Sequence, residues 1–345
     1  MSGAPLASRH VVLHDGVRIE VVERAGDAPD RKVDPRFRGD DGGEHGDDGL
    51  QVPSFPRKRG SIQPSSPQER GSIQPSSPRK RGSIPLVLLH GFTGAASTWN
   101  ELLPGFGAHR RALALSLPGH GGSDAPDDPA RYAAHRTAAD VLELLDTLGI
   151  ARCALLGYSM GARVALHTAL AATERVSALI LESGSPGIID DSERAERRAA
   201  DEALAADIER DGVEAFVDRW ERLALWESQS QLPVSSREAL RAQRLAGSAR
   251  GLANALRGLG AGATPPLHGR LGELANIPAL LICGALDAKY AELAREMSDA
   301  LPRSTMHVVE GAGHAVHLER PGELLGAVEE FLMEVESTAS PYAVP

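Results

Sequence analysis

The stretch Leu155-Leu-Gly-Tyr-Ser-Met-Gly-Ala-Arg163 places Ser159 between Gly157 and Gly161, directly after an apolar run. This Gly-x-Ser-x-Gly spacing is the sequence form of a nucleophile elbow, a sharp strand-to-helix turn that exposes a serine hydroxyl. The turn leaves no room for side chains two positions before and after the serine, and the two glycines meet that condition. Alone the motif is a weak signal, because it also arises by chance in chains rich in Gly and Ser.

Motifs on both sides of Ser159 extend the pattern. Upstream, the apolar run 86–89 predicts a buried strand that leads into His90-Gly-Phe-Thr-Gly94. Downstream, the apolar run 279–284 precedes Asp287, and Gly311-Ala-Gly-His314 follows later. The chain order serine, acid, histidine is that of α/β-hydrolases and differs from the order in chymotrypsin and subtilisin.

We therefore expect Ser159, Asp287 and His314 to form a catalytic triad. His314 would accept the proton of Ser159, while Asp287 would orient the imidazole and stabilise its charged form. The backbone N–H groups of Phe92 and Met160 are the expected oxyanion hole. The alternatives are a helix-capping role for Asp287 and an ordinary loop position for His314.

Three other polar residues lie close to these motifs. His90 is expected to be structural, ordering its own loop, and His120 is assigned no chemistry. Arg163 follows Ser159 by one helical turn and would reach an anionic substrate from there. A solvated surface arginine is an equal alternative on spacing alone.

Strand-like and helix-like segments alternate through most of the chain, which predicts an α/β-hydrolase fold with a mostly parallel, doubly wound sheet. The site is then expected at the carboxyl ends of the strands. The segment 10–24 predicts a hairpin around Asp15-Gly16, and 96–103 predicts a helix. Within 187–270 strand-like runs are replaced by helical spacing rich in Ala, Arg, Glu and Leu, which predicts an inserted helical cap.

The expected organisation has six parts. They are N-terminal core strands at 1–25, a low-complexity insertion at 26–84, core at 85–186, the cap at 187–270, core again at 271–337 and a tail at 338–345. The insertion is rich in Pro, Gly, Ser and charge, and a Pro-containing unit that begins at Arg59 recurs from Arg70, so we expect disorder there. A neutral surface insertion is favoured over a basic tail that binds nucleic acid or an acidic partner.

Composition narrows the class of protein. A chain of 345 residues with 42% hydrophobic residues suits one large α/β domain, and a net charge of −10 argues against nucleic-acid binding. Cys153 and Cys283 are expected to be reduced core thiols rather than a disulfide or metal ligands. Neither a signal peptide nor a membrane span is recognisable, so the expectation is a cytoplasmic monomer or homodimer without membrane contact, cofactor or metal.

More specific motifs identify a closer resemblance. They are Gly157-Tyr-Ser-Met-Gly-Ala-Arg163, Glu182-Ser-Gly-Ser-Pro-Gly187 followed by Glu193-Arg-Ala-Glu-Arg-Arg198, and Phe216-Val-Asp-Arg-Trp220. Together they make residues 86–332 similar to the 2-succinyl-6-hydroxy-2,4-cyclohexadiene-1-carboxylate synthase family of menaquinone biosynthesis, a group of capped α/β-hydrolase-fold proteins. The chain departs from the family at Ala162, where a second glycine is common, and in the insertion, which has no family counterpart.

The resemblance implies a lyase that eliminates pyruvate from 2-succinyl-5-enolpyruvyl-6-hydroxy-3-cyclohexene-1-carboxylate. Ser159, driven by His314, would abstract the proton alpha to the succinyl ketone, and the oxyanion hole would hold the enolate oxygen. The substrate is a small anion with three carboxylates, so the resemblance also implies several binding arginines. Carried over by motif, the substrate-binding residues are Tyr158, Arg163, Arg197, Trp220 and Arg244.

Two other functions stay open at this point. One is a serine hydrolase that cleaves an ester, thioester or carbon–carbon bond with Ser159 as a true nucleophile. The other is a noncatalytic binding protein that uses the hydrolase core as a scaffold, which an intact triad disfavours.

Overall fold

One eight-stranded sheet organises the core, with its strands in the order β1-β2-β4-β3-β5-β6-β7-β8. The computed structural model describes residues 5–24 and 83–338, so the predicted insertion, apart from 83–84, and the tail after 338 lie outside the described residues. The strands are β1 Leu6–Val12, β2 Arg18–Arg24, β3 Leu86–Leu89, β4 Ala112–Leu115, β5 Cys153–Tyr158, β6 Val176–Glu182, β7 Ala279–Gly284 and β8 Ser304–Val309.

The sheet is mostly parallel, as predicted. β1 and β2 form the predicted antiparallel hairpin, whose turn contains Gly16 at a φ of 85°. β2 is also antiparallel to β4, and every pairing from β4 to β8 is parallel. Parallel strands all end at one edge, which brings the loops after β3, β5, β6 and β7 together.

Helices cover both faces of this sheet, as a doubly wound sheet requires. The α-helices are α1 Leu103–Phe106, α2 Ala134–Thr147, α3 Met160–Ala171, α4 Asp191–Trp220, α5 Val234–Leu245, α6 Ala249–Leu259, α7 Ala288–Ala300, α8 Val316–Glu319 and α9 Pro321–Thr338. The single helix predicted over 96–103 was wrong. That segment contains a 3-10 helix, Ala96–Trp99, and a separate α1, because Pro104 lacks an N–H and suits the first turn of a new helix.

The predicted cap lies between β6 and β7 and consists of α4, a 3-10 helix at Ala224–Gln231, α5 and α6. Helix α4 has two segments that meet at Gly212, whose φ of 84° interrupts the helical backbone. The cap has its own apolar cluster, in which α4 packs against α6; its buried members are Ala205, Ile208, Phe216, Val217, Leu252, Ala253 and Leu256.

The two cysteines and the lengths of the helices bear on two further expectations from the sequence. Cys153 and Cys283 are free and buried within β5 and β7, which agrees with the expected core thiols. Within residues 5–24 and 83–338, no helix combines the length and the apolar character that a membrane span needs.

Candidate active site

The backbone at Ser159 is strained in the way a nucleophile elbow requires. Ser159 has a φ of 52°, a region that non-glycine residues rarely adopt, and it sits between the end of β5 and the start of α3. A Cβ on Gly157 would lie 2.3 Å from the carbonyl oxygen of Gly161. A Cβ on Gly161 would lie 2.3 Å from the carbonyl oxygen of Leu89. Only glycine therefore fits at either position.

The three residues predicted to form a triad are in direct contact. His314 Nε2 lies 3.0 Å from Ser159 Oγ, and His314 Nδ1 lies 2.6 Å from Asp287 Oδ2. Asp287 and His314 are buried, so this contact is shielded from solvent. Asp287 also accepts a hydrogen bond from Tyr290 N through Oδ1, at 3.3 Å. Its helix-capping role and its contact with histidine, weighed above as alternatives, thus occur together.

Phe92, in the loop after β3, and Met160, at the start of α3, flank Ser159. Met160 is the first residue of α3, so its N–H has no acceptor within the helix. Among the described residues, the N–H of Phe92 likewise has no recorded acceptor. Both donors are thus available to an oxygen bound beside Ser159, which is the arrangement an oxyanion hole needs.

His90 and His120 order the loops behind Phe92. His90 is fully buried; its Nδ1 donates to the carbonyl oxygen of Gly91 at 2.7 Å, and its Nε2 accepts from Leu117 N at 2.9 Å. The rings of His90 and His120 lie 4.9 Å apart. Burial lowers the pKa of His90 to about 3 and that of His120 to about 4, so both are neutral at pH 7. This agrees with the structural role expected for His90.

Ser159 and His314 line a cavity of about 250 Å³ beneath the cap, called here the catalytic cavity. Four of the five residues carried over as substrate-binding also line it, namely Tyr158, Arg163, Arg197 and Trp220. The structure therefore brings most of the predicted site into one space.

The two arginines of the catalytic cavity are held differently. Arg163 is buried and donates from Nη2 to the carbonyl oxygen of Leu259 in the cap, at 2.8 Å. Desolvation lowers the pKa of Arg163, but a guanidinium stays charged at neutral pH. Arg197 is half exposed, and its Nε donates to Asp201 Oδ1 at 2.8 Å. The cavity thus contains two guanidinium groups: among the described residues Arg163 has no carboxylate partner, whereas Arg197 is paired with Asp201.

Arg244 lies outside the catalytic cavity. It is buried in the cap, where Nη1 donates to Glu221 Oε1 at 3.1 Å and Nη2 to Gln229 Oε1 at 3.2 Å. It lines a neighbouring cavity of about 140 Å³, called here the second cavity. The two cavities share a wall made of Phe92, Tyr158 and Trp226.

Three further residues of the catalytic cavity escaped the sequence reasoning. The ring of Tyr290 lies 4.4 Å from the ring of His314, and that of Trp226 lies 5.5 Å away. Tyr290 follows Asp287 by three positions, a spacing that could have indicated it. Asp201 follows Arg197 by four positions, the spacing of a helical ion pair. Trp226 carries no comparable signal, because it lies in an irregular part of the cap.

In the described part of the chain, no group of three or more His, Cys, Asp or Glu side chains is arranged to hold a metal ion.

Comparison with known proteins agrees with this geometry. The family model for the alpha/beta hydrolase fold matches residues 84–321, and the chain belongs to that family. A Bacillus subtilis (strain 168) protein named as a 2-succinyl-6-hydroxy-2,4-cyclohexadiene-1-carboxylate synthase is 42% identical over 72% of this chain and 90% of its own length. Within the alpha/beta hydrolases, the chain therefore belongs to the family of these synthases.

Solved structures agree on the fold. MenH from S. aureus is 35% identical, with 73% of this chain and 94% of that chain covered at a TM-score of 0.71. An enol-lactonase from Burkholderia xenovorans LB400 is 25% identical, with 74% and 94% covered at a TM-score of 0.62. The fold is thus similar to that of a synthase and to that of a hydrolytic enzyme.

Proposed function

We propose that this protein is a carbon–oxygen lyase that eliminates pyruvate from 2-succinyl-5-enolpyruvyl-6-hydroxy-3-cyclohexene-1-carboxylate, giving 2-succinyl-6-hydroxy-2,4-cyclohexadiene-1-carboxylate. The observation that carries the proposal is the presence of Arg163 and Arg197 in the same cavity as Ser159 and His314. A simple ester does not need two guanidinium groups beside the reacting atoms, whereas a substrate with three carboxylates does.

The first step is a proton transfer. His314 takes the hydroxyl proton of Ser159 across their 3.0 Å contact, and Ser159 Oγ takes the proton alpha to the succinyl ketone. The imidazolium that results is stabilised by Asp287, 2.6 Å from Nδ1. The electron pair of the broken C–H bond passes into the ketone, whose oxygen becomes an enolate held by the N–H groups of Phe92 and Met160.

The second step expels the leaving group. The enolate electrons return through the ring, the carbon–oxygen bond to the enolpyruvyl group breaks, and pyruvate leaves as its enolate, which is then protonated. No covalent bond to Ser159 forms in this sequence. Arg163 and Arg197 hold substrate carboxylates throughout, and Tyr158 and Trp220 form the apolar wall against the ring.

Pyruvate release by the purified protein tests the proposal. Wild type is compared with Ser159→Ala and with an enzyme-free blank that measures spontaneous elimination. The proposal predicts that wild type exceeds both controls by at least about 10³-fold, the size of effect that a general base and its proton acceptor provide together. Pyruvate release equal to the blank would overturn it.

The second candidate is a serine hydrolase, favoured by the complete Ser159–His314–Asp287 contact chain. The same atoms would let Ser159 attack a carbonyl carbon and form an acyl-enzyme. An activated short-chain ester distinguishes the two functions. A stoichiometric burst followed by steady turnover, with no pyruvate release from the enolpyruvyl substrate, would assign hydrolysis instead.

A further inference from the structure

Tyr290, in the first turn of α7, contacts two members of the triad and has no part in the chemistry above. Its backbone N–H donates to Asp287 Oδ1 at 3.3 Å, and its ring lies 4.4 Å from the ring of His314 at an angle of 60°. His314 Nε2 is in turn 3.0 Å from Ser159 Oγ. Both the backbone and the ring of Tyr290 are therefore fixed beside the reacting atoms.

The hydroxyl of Tyr290 is the part of this residue that has no structural role. The side chain is half-buried and lines the catalytic cavity. Among residues 5–24 and 83–338 no hydrogen bond to the hydroxyl is recorded, and the hydroxyl is not one of the buried polar atoms that lack a partner. It is thus accessible, and it can donate a hydrogen bond to a molecule bound in the cavity.

The guanidinium of Arg163 has unused donors in the same cavity. Its Nη2 donates to the carbonyl oxygen of Leu259, whereas its buried Nε has no partner in the described part of the chain. Desolvation lowers the pKa of Arg163, and the phenol of Tyr290 acts on that pKa in the opposite direction. The guanidinium and the phenol are therefore close enough to interact electrostatically.

The charges around this pair of groups favour an anion. Apart from the triad histidine, the charged side chains that line the catalytic cavity are Arg163, Arg197 and Asp201. Asp201 pairs with Arg197 at 2.8 Å, so the charge of Arg163 is left without a carboxylate in the described part of the chain. A buried charge is costly unless it is paired, and a bound carboxylate would pair it.

The proposed substrate has one carboxylate close to its reacting carbon. Ser159 takes the proton from the ring carbon that bears the succinyl group, and the ring carboxylate is attached to the neighbouring ring carbon. The succinyl carboxylate stands at the end of a flexible arm, and the enolpyruvyl carboxylate lies across the ring. Arg163 follows Ser159 by one helical turn, and Tyr290 contacts His314, so both side chains lie where the ring carboxylate would be.

We propose that Tyr290 is a further substrate-binding residue, whose hydroxyl donates a hydrogen bond to the ring carboxylate of the substrate while Arg163 binds the same carboxylate. This inference rests on the proposed function. A neutral hydroxyl adds a directed donor to the charge of the guanidinium, which fixes the ring relative to Ser159. No covalent step is involved, and the hydroxyl keeps its proton.

The experiment compares two stable aromatic analogues by isothermal titration calorimetry. One is 2-(3-carboxypropanoyl)benzoate, which has the ring carboxylate beside the ketone; the other is 4-oxo-4-phenylbutanoate, which lacks only that group. The ratio of their Kd values measures recognition of the ring carboxylate alone. Wild type should prefer the first analogue by at least about 100-fold, and Tyr290→Phe should reduce this preference about tenfold, as expected for one lost hydrogen bond to a charged group.

Matched variants separate the hydroxyl from the ring. Tyr290→Phe keeps the ring that packs on His314, so the fold of the site is retained. Tyr132→Phe is the control, because it removes a hydroxyl that donates to the carbonyl oxygen of Pro126 at 3.0 Å, and Tyr132 does not line the catalytic cavity. It should leave the preference unchanged. If Tyr290→Phe does not fold, as judged by circular dichroism and a melting curve, Tyr290→Met replaces it. Methionine also lacks a donor, so the preference should still fall.

An unchanged preference in the folded Tyr290 variant overturns the inference, and so does a wild type that binds both analogues equally well or binds neither. This failure is distinguishable from that of the proposed function, because the analogues measure binding without turnover. If wild type releases pyruvate and the preference does not depend on Tyr290, only this inference is wrong. If wild type releases no pyruvate above the blank, the proposed function is wrong, and the inference about its ring carboxylate is overturned with it.

Discussion

The core and the cap hold their parts of the active site by different means. In the core, Ser159 is fixed by backbone: glycines that tolerate no Cβ, and the hydrogen bond from its N–H to the carbonyl oxygen of Glu182. In the cap, Arg197 is held by one side-chain contact with Asp201, and Arg244 by contacts with Glu221 and Gln229. The core geometry is disturbed only by adding atoms where none fit, whereas each cap contact is lost when one side chain is truncated.

This difference predicts that changes in the core and changes in the cap affect different kinetic constants. Changes in the core should reduce kcat or prevent folding, because they alter the reacting atoms or the turn that presents them. Changes in the cap should mainly raise KM, because they affect how substrate carboxylates are held. Arg163 connects the two regions, since it belongs to core helix α3 and is anchored on Leu259 of the cap.

Ser159→Ala tests the core at its strongest point. The change removes the atom that accepts the substrate proton, so kcat for pyruvate release should fall by at least about 10³-fold, or roughly 4 kcal/mol in the activation free energy. The melting temperature should stay the same or rise, because the strained turn loses no packing. A fall of less than tenfold in kcat would show that Ser159 is not the base.

Gly161→Ala tests the elbow backbone. The new Cβ would lie 2.3 Å from the carbonyl oxygen of Leu89, so β3 or α3 must shift. We expect a loss of about 3 kcal/mol or more in the free energy of unfolding, measured by urea titration. Gly326→Ala in α9 is the control: nothing lies within 4 Å of its Cβ, and alanine should stabilise that helix by up to about 1 kcal/mol. Equal effects at the two positions would contradict the steric argument.

The same contrast explains what the sequence could predict. The elbow and the acid follow the buried strands β5 and β7, and the histidine follows the edge strand β8. Chain order and strand ends determine their positions, so Ser159, Asp287 and His314 could be predicted together. The cap contains no strands, so strand ends do not determine the positions of its residues. Trp226 contacts His314 and Arg244 lies in the second cavity, and both facts depend on helix packing that a repetitive Ala- and Arg-rich sequence does not specify. The pairing of Asp201 with Arg197 fits helical spacing, but spacing does not reveal which cavity the pair borders.

Arg163→Ala tests the residue that connects core and cap. Loss of a buried guanidinium that binds a substrate carboxylate should lower kcat/KM by about 10²-fold, or roughly 2.7 kcal/mol, mostly through KM. Arg163→Lys should recover part of this loss in kcat/KM, because lysine keeps the positive charge but lacks the paired N–H donors of a guanidinium. Arg295→Ala in α7, which removes a surface pair with Glu292, is the control and should leave kinetics unchanged. A loss confined to kcat would place Arg163 on the chemical side of the division.

Acid should destabilise the core through its buried histidines. His90 and His120 titrate near 3 and 4 when folded and near 6.5 when unfolded, so the unfolded chain binds more protons between these values. Stability is therefore unaffected above about pH 7 and falls as the pH drops below 6.5; at pH 5 each histidine costs on the order of 2 kcal/mol.

Urea unfolding at pH 7 and pH 5 measures this cost. His120→Asn keeps a donor for the carbonyl oxygen of Pro118 and removes the titrating ring, so it should lose less stability between the two pH values than wild type. Exposed His109, replaced by Asn, serves as the control and should leave the difference unchanged. An identical pH dependence in wild type and His120→Asn would show that His120 does not contribute to the acid sensitivity of the core.

The smallest expected effect is the removal of a cap contact. Asp201 is buried and holds the half-exposed Arg197 through its Nε, which leaves the two terminal nitrogens of the guanidinium for a carboxylate of the substrate. Asp201→Ala should raise KM by about five- to tenfold, or roughly 1 kcal/mol, because Arg197 must then be ordered by the substrate itself. Asp201→Asn keeps an acceptor for Nε and should stay within about threefold of wild type. Steady-state kinetics of pyruvate release give both values. If either change lowers kcat and leaves KM unaltered, the cap takes part in the chemical step, and the division between a catalytic core and a binding cap does not hold for Arg197.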